Sequence, residues 1–335
     1  MVKFGALSFI IFETCEEKLQ GLRRSDKYGI TFCGNLVIQV PVCLLDILCG
    51  GHELSIQWYP GHMAKAAREV TESLKIVDVI IEVLDSRLPE SSRNPMMATK
   101  LQNKPTVLAL AKADMADPVI TERFVREYNR RPDMQAVAID SLHGGGIKEL
   151  ISSATALAQP KLQKLAAKGI RRDTVRALVI GIPNAGKSTL INRLAKRNAV
   201  KTGDKPGVTR QKQWIRVGKS FELLDTPGIL WPKFEDRNVA LRLAWSGAIA
   251  QTLLPLEELA QELIEWLRNA YPEQLQERYR FIDLKGNADQ LFAHIAVERG
   301  ALLPGGLPDL HQGAEKLLRD VQTGKLGRIS FDRLE

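Results

Sequence analysis

The sequence predicts a doubly wound α/β domain that is followed by a smaller, all-helical domain. Three features of the 335 residues support this prediction: short apolar runs that end in polar loops, amphipathic segments between them, and the loss of strand-like runs after about residue 235. Alternating strands and helices are typical of a parallel sheet covered on both faces, and such sheets bind ligands at the carboxyl ends of their strands.

The apolar runs give a regular order of elements. A helix is predicted to begin near residue 62 and to run through AKAAREVTESLKIV, and VIIEVLD and TVLALAKAD are predicted strands. VITERFVREYN predicts a helix, and QAVAID and ALVIGIP predict two further strands. KSTLINRLAKR then predicts a helix, and FELLDTPG one more strand. Leucines at helical spacing, at positions 256, 259, 263 and 267, predict the all-helical part.

Composition divides the chain into three segments. Residues 1–54 hold all four cysteines and have no clean periodicity, so we expect an extraneous or poorly ordered extension; a genuine short extension is the alternative. No C-x-x-C spacing is present, which argues against a metal site there, and nothing else supports disulfides. We expect the α/β domain at 55–235 and the helical domain at 240–335.

The net charge of +8 is concentrated in the middle of the chain. Residues 161–219 contain sixteen Lys or Arg and two Asp, whereas residues 235–335 contain twelve Lys or Arg and sixteen Asp or Glu. Such a belt suits a polyanionic partner, and a solvated surface is the alternative. No apolar run reaches the roughly 18 residues that span a bilayer, so we expect a soluble, cytoplasmic protein without a membrane partner.

A phosphate-binding loop lies between a predicted strand and a predicted helix. GIPNAGKS, at 181–188, fits G-x-x-x-x-G-K-[ST] in the context that the motif requires. The backbone N–H groups of such a loop and the following helix N-terminus bind phosphate oxygens, the lysine reaches the β- and γ-phosphates, and the serine hydroxyl ligates Mg²⁺. The predicted nucleotide-binding residues here are Asn184, Ala185, Gly186, Lys187, Ser188 and Thr189.

Two further motifs complete a phosphate and metal site. DTPG, at 225–228, ends an apolar strand, so Asp225 is a predicted Mg²⁺ ligand and the Gly228 amide a predicted γ-phosphate contact. Thr209, in the KPGVTR stretch between the two motifs, is predicted to add its oxygen to the metal. Ser188, Thr209 and Asp225 are therefore the predicted metal ligands.

The AKAD motif at 111–114 predicts guanine recognition. The carboxylate of Asp114 can accept hydrogen bonds from both N1 and the exocyclic amine of guanine, a donor pair that adenine lacks; a helix N-cap is the alternative role. The stem of Lys112 can pack over the base or across the phosphate loop, and Ser141 lies where a loop could close the base pocket. These motifs together indicate a GTPase, with the base motif placed before the phosphate loop instead of after it.

At this point the chain resembles the circularly permuted GTPases of the ribosome-biogenesis GTPase A family. The resemblance rests on IQWYPGHMAKA, SSRNPM, GIPNAGKSTLINRLA, KTGDKPGVTR, DTPGILWPKFED and GRISF, and it covers about residues 55–335. It implies a P-loop GTPase domain with a circularly permuted motif order and a role in late assembly of the large ribosomal subunit. The implied ligands are GTP or GDP and Mg²⁺. The implied partners are the subunit precursor and its rRNA, which the helical domain at 240–335 would contact, and we expect a monomer when the protein is free.

The resemblance also bears on catalysis. Ile229 follows the DTPG motif, where many GTPases have a water-orienting Gln, and the resemblance implies that His62 takes this role; a capping or packing histidine is the alternative. It further implies a monovalent cation such as K⁺ near Asn184, unless this residue only shapes the turn. The family usually has Asn at Ala111 and Ala or Val at Leu142. A nucleotide-gated RNA-binding module with negligible turnover is the alternative function.

Overall fold

The computed structural model describes residues 28–33, 36–41, 68–101, 104–132, 134–196, 213–226, 228, 230–231, 236–249 and 255–334. The chain divides into two compact units, Met1–Ser55 and Ile56–Glu335. In the first unit, β1 (Tyr28–Cys33) and β2 (Leu36–Pro41) form an antiparallel pair. Among the described residues, no helix is both long and apolar enough to cross a bilayer.

The second unit is built on a six-stranded sheet. Its strands are β3 (Val79–Asp85), β4 (Thr106–Ala111), β5 (Met134–Ile139), β6 (Val175–Ile180), β7 (Gln213–Val217) and β8 (Phe221–Asp225), in the spatial order β5-β4-β3-β6-β8-β7. All neighbouring strands are parallel except β7 and β8. The strand order reverses between β3 and β6, and a crevice opens at such a switch point outside the carboxyl ends of the strands.

Helices cover the sheet and then form the rest of the unit. They are α1 (Pro95–Leu101), α2 (Pro118–Tyr128), α3 (Ile147–Ala167), α4 (Lys187–Ala195), α5 (Arg237–Trp245), α6 (Leu256–Ala270), α7 (Pro272–Tyr279), α8 (Ala288–Glu298) and α9 (Leu310–Gln322). Residues 68–73 are also helical. After β8 the described elements are all helices, so the predicted change from a doubly wound sheet to an all-helical region is confirmed.

The alternation of side chains in β3 explains why both faces of the sheet are covered. Val79, Ile81 and Val83 point to one face and share a cluster with residues of α3 and α4. Ile80 packs on the other face with residues of α1 and of the helix at 68–73, and Leu84 packs there with α2. Successive residues of a strand point to opposite faces, so this strand, which is buried along its whole length, requires two covering layers.

Some elements differ from the sequence prediction. The strand predicted at 106–114 ends at Ala111, because Lys112 adopts a left-handed conformation with φ of 59° that a strand cannot contain. The helix predicted from residue 62 ends at residue 73 and is followed by a turn; its predicted start lies outside the described residues. Helices α1 and α3 and strand β7 were not predicted. The edge strand β7 exposes Gln213, Trp214 and Arg216, so its apolar content is low.

One hydrophobic cluster continues from the sheet into the helices that follow it. It joins buried residues of β3, β6 and β8 to residues of α5, α6, α8 and α9. The ring of Phe331 lies 5.6 Å from that of Trp245 and 5.0 Å from that of Trp266, and these aromatic contacts fix the segment that follows α9. The helical region therefore packs against the sheet as part of the same core.

Candidate nucleotide site

The phosphate loop leaves β6 at the switch point of the sheet. Gly181 has φ of 153°, and a Cβ there would lie 2.4 Å from the carbonyl oxygen of Val83 in β3, so only glycine lets the two strands approach. Asn184, with φ of 56°, and Gly186, with φ of 101°, turn the loop into α4, which begins at Lys187. The N-terminus of α4 thus faces the crevice with its free N–H groups and positive dipole end.

Two buried charged residues lie beside this loop: Lys187, at the start of α4, and Asp225, at the end of β8. The Lys187 Nζ donates to the carbonyl oxygens of Gly181 and Ile182, at 3.2 and 2.9 Å. Burial lowers the pKa of Lys187 to about 8, against the attraction of Asp225, and burial raises the pKa of Asp225 to about 6, against the attraction of Lys187. For both groups, burial disfavours the charged form more than the partner's opposite charge favours it. A bound ligand of opposite charge would stabilise the charged form of each group.

The environment of the Asp225 side chain is that expected of a residue that binds a metal ion. It is fully buried, and neither of its carboxylate oxygens has a hydrogen-bond partner among the described residues. Burying an unpartnered carboxylate is costly unless a cation balances it. Mg²⁺ typically uses one or two carboxylates together with phosphates and water, and Asp225 is a buried carboxylate of this kind.

Gly228 lies directly against the phosphate loop. A Cβ at this position would come within 2.8 Å of the Pro183 nitrogen and 3.1 Å of the Lys187 Nζ, so a side chain there would displace the loop or its lysine. Just before it, the Thr226 hydroxyl donates to the Val179 carbonyl at 2.8 Å and ties the end of β8 to β6. The DTPG motif therefore stands beside the lysine that the same sequence pattern predicts to contact phosphate.

The predicted base-recognition motif lies at the end of β4, beside the same loop. A Cβ added to Gly186 would be 3.3 Å from the Ala111 methyl, so the first residue of the motif faces the phosphate loop. Asp114 is half-buried, and no hydrogen bond from a described residue occupies its carboxylate. The alternative role of Asp114 as a helix N-cap is wrong, because Asp117 caps α2 by accepting from the amides of Val119 and Ile120.

A buried ion-pair network behind this motif was missed in the sequence. Lys112 donates to the Asp85 carboxylate at 2.9 Å, and Arg87, which is 0% exposed, binds both oxygens of the same carboxylate at 2.9 and 2.8 Å. Burial alone would raise the pKa of Asp85, but the charges of Arg87 and Lys112 hold it well below its usual range. One feature of the sequence could have indicated this network: Asp85 ends a predicted strand, as do the phosphate loop and the 111–114 motif, so all three are expected at the same edge of the sheet.

Ser141 and Asn184 lie in the loops that follow β5 and β6. Ser141, in the loop after β5, is buried, and its hydroxyl has no hydrogen-bond partner among the described residues. The Asn184 side-chain amide donates to the Gly247 carbonyl at 2.8 Å, which joins the phosphate loop to the turn after α5. Ala185 is buried behind the loop, and Ser188 and Thr189 are half-buried in the first turn of α4.

Three residues singled out in the sequence lie outside the described residues. They are His62, Thr209 and Ile229. The phosphate loop, Asp225, Gly228, the 111–114 motif and Ser141 lie together at one edge of the sheet. The roles of the other three residues stay predictions.

A mostly parallel sheet with a phosphate-binding loop at its switch point, and with the base motif on an earlier strand, defines a P-loop GTPase whose motifs are circularly permuted. Comparison with known families agrees, because residues 176–287 match the family model described as 50S ribosome-binding GTPase. The chain belongs to the ribosome biogenesis GTPase A family. It is 47% identical to ribosome biogenesis GTPase A of Bacillus pumilus over 282 residues, which cover 84% of this chain and all of the relative.

Other relatives and solved structures give the same assignment. The Bacillus cereus ribosome biogenesis GTPase A is 49% identical over 280 residues, covering 84% of this chain and 94% of the relative. The crystal structure of GNP-bound YlqF from T. maritima is 26% identical, with a TM-score of 0.59 over 80% of this chain and 98% of that chain. The chain is thus a guanine-nucleotide-binding GTPase of this family, and the sequence-based assignment is confirmed.

Proposed function

We propose that GTP binds in the crevice between β3 and β6, with each predicted site residue in a defined role. Lys187 and the amides of the loop hold the β- and γ-phosphates, since Lys187 is buried beside Asp225 and Gly228. Mg²⁺, when bound, would neutralise charge that develops on the phosphate oxygens. Ser188, Thr209 and Asp225 would hold it, and the unpartnered Asp225 carboxylate is the single observation that best supports this role.

The base would be bound on the other side of the crevice. Asp114 accepts from N1 and the exocyclic amine of guanine in this proposal, because its carboxylate is not used by a described residue. Ser141 offers a buried hydroxyl to the base, and Lys112 stays close through its ion pair with Asp85. A monovalent cation near Asn184 stays a prediction, and so does His62 as the residue that orients the attacking water.

Ala111 provides a direct test of how base and phosphate loop cooperate. An Asn at this position would lie against Gly186, where its side chain can hydrogen-bond the purine and brace the loop. We expect Ala111→Asn to tighten GTP binding by roughly fivefold to tenfold, the effect of one added hydrogen bond of about 1 kcal/mol. Calorimetric titration with GTP measures this change.

A matched variant separates the effect from a general change in the protein. Ala166→Asn places the same side chain on an exposed part of α3 and should bind GTP as the parent does. If Ala111→Asn binds GTP equally or more weakly, the buried site does not accept the larger side chain in the way we propose.

We also propose that residues 55–235 and 240–335 act together on the ribosome. In this proposal the cytoplasmic, monomeric protein binds the precursor of the large ribosomal subunit and its rRNA and assists a late assembly step. The names of the relatives support a role in ribosome biogenesis. The basic belt supports an RNA partner, because phosphate contacts dominate binding to nucleic acids.

Some described cations of the basic belt are already paired within the protein. Lys161 and Arg172 pair with the buried Asp78, so their charges are partly compensated within the protein. Three exposed cations near the end of α3 form no ion pair with a described residue; they are Lys164, Lys168 and Arg171. This exposed basic surface, and not the whole belt, is our candidate for the RNA contact.

Neutralising this surface should weaken ribosome binding in a salt-dependent way. We expect the combined replacement of Lys164, Lys168 and Arg171 by Gln to lower affinity for large subunits and to reduce the log–log salt slope by about 2 to 3, since each lost phosphate contact removes close to one released counterion. Co-sedimentation at several salt concentrations, with a non-hydrolysable GTP analogue, measures both quantities.

The control replaces three exposed arginines on or next to α2. Arg123, Arg126 and Arg130 carry the same total charge, and two of them already pair with Glu122 and Glu127. Their combined change to Gln should leave the slope near the parent value. Equal losses in both triple variants would mean that only net charge matters, which would contradict a defined RNA surface on α3.

A further inference from the structure

The loop that carries Asp114 is held largely by residues far along the chain. In this base-recognition loop (residues 112–117), the carbonyl oxygen of Met115 accepts from the Ile329 amide at 3.1 Å. The Asp117 amide donates to the Ser330 hydroxyl at 3.1 Å. Within the loop itself, Met115 donates to the Lys112 carbonyl at 3.0 Å, which closes a single turn around Asp114.

Arg328 spans this turn from the outside. Its Nε donates to the Ala116 carbonyl at 2.8 Å, and one terminal nitrogen donates to the Ala113 carbonyl at 3.0 Å. The two accepting residues flank Asp114 on either side along the chain. A planar guanidinium that binds two carbonyl oxygens fixes their separation, and this constraint is stronger than that of a single flexible donor.

The segment that supplies these contacts is itself firmly fixed. Phe331 is buried against Trp245 and Trp266, and both Asp332 oxygens accept hydrogen bonds from Ser91, at 2.6 and 2.8 Å. The Tyr271 hydroxyl, next to the end of α6, contacts both the Ser330 backbone and the Asp117 carboxylate. The segment at 326–333 therefore transmits the position of the helical region to the base-recognition loop.

We propose that Arg328 and Ser330 are positioning residues of the guanine site, so that selectivity for guanine depends on a segment of the helical region. This inference rests on the proposed role of Asp114. Two hydrogen bonds to guanine require the carboxylate at one place and angle, whereas the phosphate contacts lie on a different loop. Loosening the base-recognition loop should therefore weaken guanine recognition more than phosphate binding.

The test compares GTP with ITP, which lacks the exocyclic amine of guanine. In the parent protein, the ratio of the two dissociation constants reports how well Asp114 is placed. We expect Arg328→Gln to weaken GTP binding about tenfold and ITP binding much less, so the ratio falls several-fold. Because Arg328 is exposed, the variant should keep its fold, and its thermal unfolding is recorded alongside.

Two matched variants sharpen the interpretation. Arg319→Gln makes the same change at an exposed arginine of α9 whose side chain bonds to no described residue, and it should keep both dissociation constants. Arg328→Lys restores one donor and should recover part of the ratio. An unchanged ratio in Arg328→Gln, or equal losses for GTP and ITP, would overturn the proposal.

A separate variant distinguishes failure of this inference from failure of the proposed site. If Asp114→Asn leaves the ratio of GTP to ITP affinity unchanged, Asp114 does not read the base and the proposed site is wrong. If Asp114→Asn removes the preference while Arg328→Gln behaves like Arg319→Gln, the guanine site stands and only the positioning role of the 326–333 segment is wrong.

Discussion

Asp114→Asn is expected to convert a GTP-binding protein into one that prefers XTP. The carboxylate that accepts from two guanine donors would be replaced by an amide with one acceptor and one donor group. The exocyclic amine of guanine would then face the N–H₂ group of Asn, and two donors cannot bond to each other. In xanthine a carbonyl replaces this amine, and its oxygen accepts a hydrogen bond from the Asn N–H₂ group. Since hydrogen bonds to a charged group contribute about 1.5–3 kcal/mol each, GTP affinity should fall by roughly a hundredfold or more.

Fluorescence titration with labelled GTP, XTP and ATP analogues measures the change in base preference. Asp173→Asn is the matched control, because it makes the same change at an exposed carboxylate that bonds to no described residue. The control should retain the preference for GTP. If the Asp114 variant also prefers GTP, another group reads the base.

His62→Ala is expected to abolish most of the GTP hydrolysis that the large subunit stimulates, while GTP affinity stays nearly unchanged. The polar side chains described beside the phosphate loop already have partners or another predicted role: the Thr226 hydroxyl bonds to Val179, and Asn184 to Gly247. Ile229 follows the DTPG motif and cannot orient the water, because its side chain is apolar, so His62 is the predicted residue for this step. Loss of such a group typically costs about 10²-fold or more in rate.

Single-turnover hydrolysis with saturating large subunits isolates this step from binding. A transition-state role predicts a lower rate at constant GTP affinity, because the interaction is made only as the water attacks. The control is His311→Ala, which removes an exposed imidazole that pairs with Glu257. If His62→Ala is stimulated as strongly as the control, His62 is structural, and a bound cation or rRNA becomes the better candidate.

The sequence predicted the elements that depend on local pattern. The buried strands β3, β4 and β6 are mostly apolar runs, and a phosphate loop needs its glycines and lysine at fixed spacing, so both can be recognised in the sequence alone. Strand β7 was missed because it lies at an edge and alternates between buried and exposed side chains over only five residues. Such a short, polar strand carries little pattern of its own.

The contacts that hold the site were much harder to predict. Arginine is seldom fully buried, yet Arg87 is, and it joins Asp85 to the Val321 carbonyl at the end of α9. Likewise, Arg328 lies more than two hundred residues from the loop that it binds. Contacts between residues so far apart along the chain depend on how the helical region packs on the sheet. The spacing of residues in a single sequence does not predict that packing.

The hydrophobic cluster shared by sheet and helices affects how the protein loses its structure. A chain cut near residue 235 would expose the apolar faces on both sides of the cut, so neither piece is suited to fold alone. Heat or urea should instead melt both parts in one cooperative transition. A nucleotide that binds only the folded state would then protect the distant helices from a protease as effectively as the strands that it touches.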